Sequence, residues 1–269
     1  MSGYRVRPMI ETWERAVRPM GRIGHAIEAH ASIGSTNDRA RALLDEADAD
    51  GRVVVAEEQS AGRGRRGRAW LSPPGVNLMC SVVVRPEIEA RDAWQLGLAA
   101  ALAAAGACGT VAPVGIKWPN DLVAGNGDKV GGLLTETMTR GDRLSGAVIG
   151  IGLNVNWTRE SMPREIAERA TSLADLAGEP VDRVALLARL LAALETELAA
   201  VEAGASPLER YRAACTTLGT FVIVATPDGT ARGRAVGLDP SGALIVEADD
   251  GRTVVSSGEV VTVGGEVPA

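Results

Sequence analysis

Histidine is nearly missing from this 269-residue chain, which has His25 and His30 and no other. Nucleophilic triads and metal sites that depend on histidine therefore lack their parts. Both residues precede every motif below and read as packing or surface groups of an N-terminal strand region. Cysteine is almost as scarce, since Cys80, Cys108 and Cys215 are odd in number and far apart. They offer neither a disulfide framework nor zinc-ligand spacing, and reduced thiols in a cytoplasmic protein are the simplest reading. Aromatic residues are few, five Trp, two Tyr and one Phe, so the core must come from Ala, Val, Leu and Ile and a tryptophan in a polar loop stands out. There is no basic excess either. A net charge of −6 excludes a protein that coats DNA or an anionic membrane. Arg5, Arg7, Glu11, Glu14, Arg15 and Arg18 interrupt the apolar stretch that a signal peptide would need. One uncharged run, Leu96 to Ile116, has transmembrane length, but it is alanine-rich and holds Gly97, Gly106, Gly109 and Pro113. It reads as a buried helix followed by a turn and a strand, with no membrane partner.

What is present is a pattern of alternating strands and helices. Ser35 and Thr36 stand as capping residues before a short helix over 37–44. The β-branched run Val53 to Ala56 leads into a glycine and arginine loop, and 77–84 reads as a further strand. A helix is predicted over 92–105 and a strand over 114–123 interrupted by Pro119. The turn chemistry of 125–128 joins that strand to another from Lys129 to Thr137, which a hairpin returns through 144–155. Helices are predicted over 172–177, 182–201 and 207–215, the middle one with Leu186, Leu187, Leu190, Leu191 and Leu194 at helical spacing. From Thr220 to Val263 short strands recur with turns at 227–229, 239–242 and 249–251. This predicts an α+β fold, a sheet with a helical layer, and a small barrel-like domain after it. The expected division is 1–217 and 218–269.

Three segments carry candidate chemistry. The loop Gly62 to Trp70 interleaves Arg63, Arg65, Arg66 and Arg68 with Gly62, Gly64 and Gly67. Glycines let backbone N–H groups approach a ligand, and guanidinium groups grip phosphate or carboxylate oxygens in pairs. A solvated basic loop or a nucleic-acid contact would have the same composition. The segment Lys117 to Asp121 sets a lysine and an acid at a strand end, with Pro119 fixing the turn between them. Lys117 can offset charge on an α-phosphate, and Asp121 can help hold Mg²⁺ or orient that lysine; an ordinary surface ion pair is the alternative. Lys129 precedes the paired glycines Gly131 and Gly132, which permit a ligand to lie against a strand, although an exposed hairpin lysine would look the same. Without histidine, what remains suits catalysis by positioning and charge stabilisation in phosphoryl-type transfer, with the nucleophile supplied by the substrates.

Taken in order, 35-STN-37, 59-QSAGRGRRGRAW-70, 117-KWPND-121, 129-KVGGLL-134 and 150-GIGLNVN-156 resemble the biotin protein ligase family. The likeness runs from about residue 23 to 265, with 171-TSL-173 and 257-SGEV-260 also similar. The resemblance implies a mixed β-sheet flanked by helices, followed by a small C-terminal SH3-like β-barrel. It implies biotin binding by Ser35, Thr36, Asn37, Gln59, Arg63, Gly64, Arg65 and Lys129, and ATP binding by Arg66, Arg68, Trp70, Lys117, Asn120, Asp121 and Asn154. Lys117, Asp121, Lys129 and Arg65 would carry catalysis, and Asp121 a Mg²⁺ ion. The implied reaction makes biotinyl-AMP from biotin and ATP, then passes biotin to a lysine of the biotin carboxyl carrier domain of an acyl-CoA carboxylase. The expected enzyme is a monomer or weak homodimer. Two departures stand out. Only 34 residues precede Ser35, too few for the winged DNA-binding domain some members carry, so no DNA partner and no repressor function are expected. Gly131 stands where a slightly larger residue is common. Three other readings carry over: a lipoate or octanoate ligase of the same fold, disfavoured by the GRGRRG loop; a non-catalytic nucleic-acid module, disfavoured by acidic charge and sparse aromatics; and a degenerate ligase that only sequesters biotin, disfavoured because every motif residue is present.

Overall fold

The computed structural model describes residue 13 and residues 21–263. Twelve strands and six α-helices follow one another in these residues. Seven strands make one sheet: β1 (Ile27–His30), β2 (Val53–Ala56), β3 (Leu78–Val84), β4 (Gly115–Lys117), β5 (Asp121–Val123), β6 (Lys129–Arg140) and β7 (Arg143–Leu153), in the order β1-β2-β3-β7-β6-β5-β4. Only β1 and β2 run parallel; every other pair is antiparallel, so the sheet is mixed as expected.

Both faces of the sheet centre are covered, which is why β2 and β3 are buried at every position. Side chains alternate between faces. Val54, Val83 and Val148 pack under α1 (Thr36–Leu43) through Ala40 and Leu43. Their neighbours Val53, Val55, Val82, Val84, Ala147 and Ile149 face the other way, toward α2 (Trp94–Gly109) and α5 (Arg183–Glu202). The α2 sequence is Ala-rich because this helix is packed against both α5 and the sheet; Ala99, Ala100, Ala101, Ala103 and Ala104 are all buried. Leu186, Leu187, Leu190, Leu191, Leu194 and Leu198 form the buried stripe of α5. The uncharged run from Leu96 is thus a core helix, and among the described residues no helix is long and apolar enough to cross a membrane.

Short helices α3 (Arg164–Ala167), α4 (Leu173–Ala177) and α6 (Leu208–Ala214) complete the helical part. α4 starts with a reciprocal capping box between Ser172 and Asp175 and ends at Gly178 in the left-handed region (φ 76°). The predicted single strand over 114–123 is instead two strands, β4 and β5, because the Trp118–Pro119 segment turns the chain so that Lys117 pairs with Asp121. The N-terminal strand region expected at His25 and His30 is β1, which ends at His30, whereas α3 had no periodic signal in so short a span and was not predicted.

The remaining strands, β8 (Phe221–Thr226), β9 (Gly229–Leu238), β10 (Leu244–Ala248), β11 (Gly251–Val255) and β12 (Glu259–Val263), form an antiparallel sheet in the order β11-β10-β9-β8-β12. Among the described residues no ladder joins β11 to β12, so it is an open five-stranded row. It is tied to the larger sheet where Trp118 Nε1 donates to Gly242 O (3.1 Å) and Trp118 N–H donates to Thr217 Oγ1 (2.9 Å). This seam leaves the loop between β2 and β3 facing the edge strand β12.

Candidate active site

A cavity of about 560 Å³ opens on the α1 face of the large sheet. Its floor follows from register. One row of paired residues runs Lys117 (β4), Asp121 (β5), Gly132 (β6), Gly152 (β7) across the sheet, so two glycines sit between charged side chains and the next strand. Gly132 leaves room for Lys129, and a Cβ there would lie 3.2 Å from Nζ. Gly152 leaves room for Trp70, and a Cβ there would lie 2.7 Å from the indole ring. The paired glycines let a ring lie flat on backbone.

At one end the groups are neutral and polar. Ser35 caps α1, its hydroxyl accepting from Asp38 N–H, and Thr36 and Asn37 occupy the first turn. All three are buried. Gln59 Oε1 accepts from Thr36 N–H at 2.8 Å.

At the other end the groups are charged. Lys129 Nζ donates to Asp121 Oδ1 at 2.6 Å and sits 5.6 Å from the centre of the Trp70 ring. Lys117 has no ion pair among the described residues, and burial pushes its pKa below the ordinary lysine value although Asp121 acts the other way. Burial likewise lowers the Arg65 pKa, with Arg66 adding to the effect. Among the described residues Arg65 reaches only neutral acceptors, Asn120 Oδ1 (3.4 Å), Gly258 O (3.4 Å) and Ser257 Oγ (3.3 Å). Two half-buried cations without a carboxylate of their own form a site for an anion.

The Gly-Arg loop closes one side. Trp70 N–H donates to Gly62 O and Gly64 N–H to Arg68 O, which folds the loop on itself. Arg63 makes a two-pronged pair with Asp38 of α1 (Nη1 to Oδ2 2.6 Å), and this hydrogen bonding holds the Asp38 carboxyl below its usual range. Arg68 pairs with Glu259 of β12. Trp70 Nε1 is buried and has no hydrogen-bond partner among the described residues, a donor left for an acceptor in the cavity.

Every sequence-predicted site residue lines this cavity except Arg66. Arg66 takes the left-handed conformation (φ 57°), which turns its side chain out of the cavity to donate to Ala225 O at 3.4 Å on the C-terminal sheet. Asn154 is at the wall, but its Nδ2 is held by the carbonyls of Lys129 and Thr171. Arg63 is at the rim with its charge already answered by Asp38. Among the described residues no three His, Cys, Asp or Glu side chains converge as a metal cluster. Asp121 is a single carboxylate beside the anion-seeking lysine, which fits a Mg²⁺ ion carried in on phosphates and held by one protein ligand. Sequence reasoning missed Ser81, Glu136 and Glu259. The first had a visible signal, a lone polar residue inside the apolar run of β3.

Comparison with known proteins agrees with this geometry. The Biotin/lipoate A/B protein ligase family model matches residues 30–154, and the Biotin protein ligase C terminal domain model matches 217–262. The biotin--[acetyl-CoA-carboxylase] ligase of Mycobacterium tuberculosis is 36% identical over 273 residues, covering 96% of this chain and 97% of that protein. The chain belongs to the biotin protein ligase family. The bifunctional ligase/repressor BirA of Bacillus subtilis is 34% identical over 242 residues, 88% of this chain and 74% of that protein. The biotin protein ligase of Aquifex aeolicus in complex with biotin and ATP superposes with a TM-score of 0.73 at 29% identity, covering 87% of this chain and 97% of that one.

Proposed function

We propose that this chain is an ATP-dependent biotin protein ligase, which makes biotinyl-AMP and transfers the biotinyl group to a lysine of a carrier domain of an acyl-CoA carboxylase. The observation that carries this is the polarity of a single cavity: neutral hydrogen-bonding groups at Ser35, Thr36, Asn37 and Gln59, a glycine floor, then the uncompensated cations Lys117 and Arg65. A ureido ring is neutral and rich in donors and acceptors, whereas a carboxylate and a triphosphate are anionic. Biotin laid along the floor therefore puts its ring at the first end and its carboxylate among the cations, where Lys129 and Arg65 orient it.

In the first step a carboxylate oxygen of biotin bonds to the α-phosphorus of ATP, and the bond from that phosphorus to the bridging oxygen breaks, releasing pyrophosphate. Lys117 and Arg65 offset the added negative charge. Mg²⁺, held by Asp121 together with the phosphates, would neutralise charge on the leaving pyrophosphate. Trp70, Asn120 and Arg68 border the nucleotide, and the free Trp70 Nε1 donor suits one of its acceptors. The loop from Gly62 keeps water from the mixed anhydride. In the second step the carrier lysine, deprotonated with Asp121 as the base, attacks the acyl carbon and AMP leaves. We assign these steps to residues 1–217, with 218–269 supporting the loop, in a cytoplasmic enzyme that is monomeric or weakly dimeric and takes no DNA.

The test is mass spectrometry of the purified protein with Mg-ATP, a carrier domain bearing one exposed lysine, and biotin or lipoate in parallel. A biotin-sized mass increase on that lysine with release of AMP supports the reading. Reaction with lipoate alone would reassign the substrate, and no reaction with either would overturn it.

A further inference from the structure

The neutral end of the cavity has a proton order that is imposed from behind it. Ser81 Oγ lies 2.6 Å from Asn37 Oδ1 and 2.7 Å from Thr36 Oγ1, and Asn37 Nδ2 lies 2.8 Å from Glu136 Oε2. A carboxylate without a proton can only accept, so the Asn37 amide turns Nδ2 toward Glu136 and Oδ1 toward Ser81. The amide oxygen also only accepts, which commits the single hydroxyl hydrogen of Ser81 to Asn37. In the short contact between Ser81 and Thr36 the donor must then be Thr36. Thr36 Oγ1 also lies 3.1 Å from Gln59 Oε1, but that oxygen already accepts from Thr36 N–H at 2.8 Å and the 2.7 Å contact to Ser81 is the shorter one, so the Thr36 hydroxyl hydrogen goes to Ser81. What is left for an occupant is a lone pair on Thr36 Oγ1 and the Nε2 hydrogens of Gln59.

Register explains how such a chain crosses the sheet. Ser81 (β3), Gly150 (β7) and Leu134 (β6) are paired neighbours, and Glu136 is two residues beyond Leu134 on the same face. Gly150 has no side chain, and the Asn37 amide rests in that gap; a Cβ on Gly150 would lie 2.1 Å from Asn37 Oδ1. Glu136 is fixed in turn by Arg41 of α1. Neither Ser81 nor Glu136 lines the cavity.

We propose that Ser81 and Glu136 are positioning residues for the ureido ring: acting through Asn37 and Thr36, they make Thr36 an acceptor for a ureido N–H and leave Gln59 as a donor to the ureido oxygen. This rests on the ligase reading and deepens it. An acyl chain without a ureido ring satisfies neither group, and leaving buried polar groups unpaired is how such sites reject analogues.

The experiment compares the full chain with Ser81→Ala, Glu136→Leu, Glu136→Gln and the Ser81→Ala/Glu136→Leu double variant, each shown to be folded by circular dichroism. Biotin affinity is read by calorimetry, and kcat and KM for biotin and for Mg-ATP from adenylate formation. Loss of one link is expected to raise the biotin Kd and KM about tenfold. In the same variants kcat and the KM for ATP should stay within about twofold, since these groups do not touch the reacting atoms. The double variant should be no weaker than the weaker single one, because both cut the same chain. Glu136→Gln, which can still accept from Asn37, should stay near the parent. Unchanged biotin affinity in the folded single variants, additive losses, or parallel falls in kcat would overturn the relay. Should Ser81→Ala fail to fold, the Glu136 pair of variants decides alone. A parent protein that does not bind biotin would instead overturn the ligase reading.

Discussion

Asp121 faces two amines and takes one of them: its Oδ1 lies 2.6 Å from Lys129 Nζ, while Lys117 stands directly opposite it across the β4/β5 hairpin with no ion pair among the described residues. The pairing leaves Lys117 as the cation available to a substrate. Replacing it with a neutral residue of similar length, Lys117→Met, should slow pyrophosphate release from ATP and biotin by roughly 10²–10³-fold. Biotin affinity should hardly change, because the neutral end of the cavity is untouched. Stopped-flow measurement of pyrophosphate checks this, and a parent-like rate would remove Lys117 from the reaction.

The same lysine predicts a pH limit. Burial lowers its pKa from the ordinary 10.5, and the charged form is the one that stabilises the transferring phosphate. The charge is fully present at pH below the lowered value and is lost as pH rises through it. The alkaline limb of kcat/KM, which reports the free enzyme, should therefore fall below pH 10.5. In Lys117→Arg, whose guanidinium does not deprotonate, that limb should move up or vanish. A limb that stays in place would assign it to another group.

Lys129 holds the Asp121 carboxylate and lies over Trp70, so its removal has two consequences. Lys129→Ala should weaken biotin binding by about 10–100-fold, the size expected when a charge-assisted hydrogen bond to a carboxylate is lost. It should also leave Asp121 without its partner and slow adenylate formation. Equal biotin affinity by calorimetry would show that Lys129 serves Asp121 alone.

Much of this site was legible because its motifs sit where elements begin and end. Ser35 capping α1, the loop leaving β2, and Lys129 opening β6 were each visible as punctuation in the sequence. The leucine spacing of α5 and the alanine run of α2 likewise announced buried helices. The hairpin at Trp118 was not legible, since three-residue strands carry no periodicity and the turn reads as an interruption. Arg66 was grouped with its neighbours because composition cannot show that one residue of an arginine loop has positive φ and points outward. Glu136 was missed for a different reason: its role depends on Asn37, which is 99 residues away in the chain and adjacent only after the sheet has formed.

Gly152 tests whether the glycine floor matters for the nucleotide end. A methyl group there would lie 2.7 Å from the Trp70 ring, and both neighbouring strands fix the backbone beneath it. Gly152→Ala should displace Trp70 rather than the sheet. The expected result is a KM for ATP raised by about tenfold, with more biotinyl-AMP escaping into solution and an unchanged melting temperature. A large fall in stability with normal KM would mean that the strand, and not the ring, gives way.

The largest stability effect is expected behind the site. Glu57 is buried at 4% exposure and accepts from Arg183 Nη1 at 2.7 Å and from Trp13 Nε1 at 2.6 Å, while Arg183 also donates to Asn77 O at 2.8 Å. The guanidinium lies 5.2 Å from the centre of the Trp13 ring. Arg183→Ala leaves a buried carboxylate with one neutral donor, and breaking a buried pair on one side costs about 3–5 kcal/mol. The loss should appear in urea unfolding as a lower midpoint at constant slope. A loss below about 1 kcal/mol, the range of exposed ion pairs, would mean that water reaches Glu57 once Arg183 is gone.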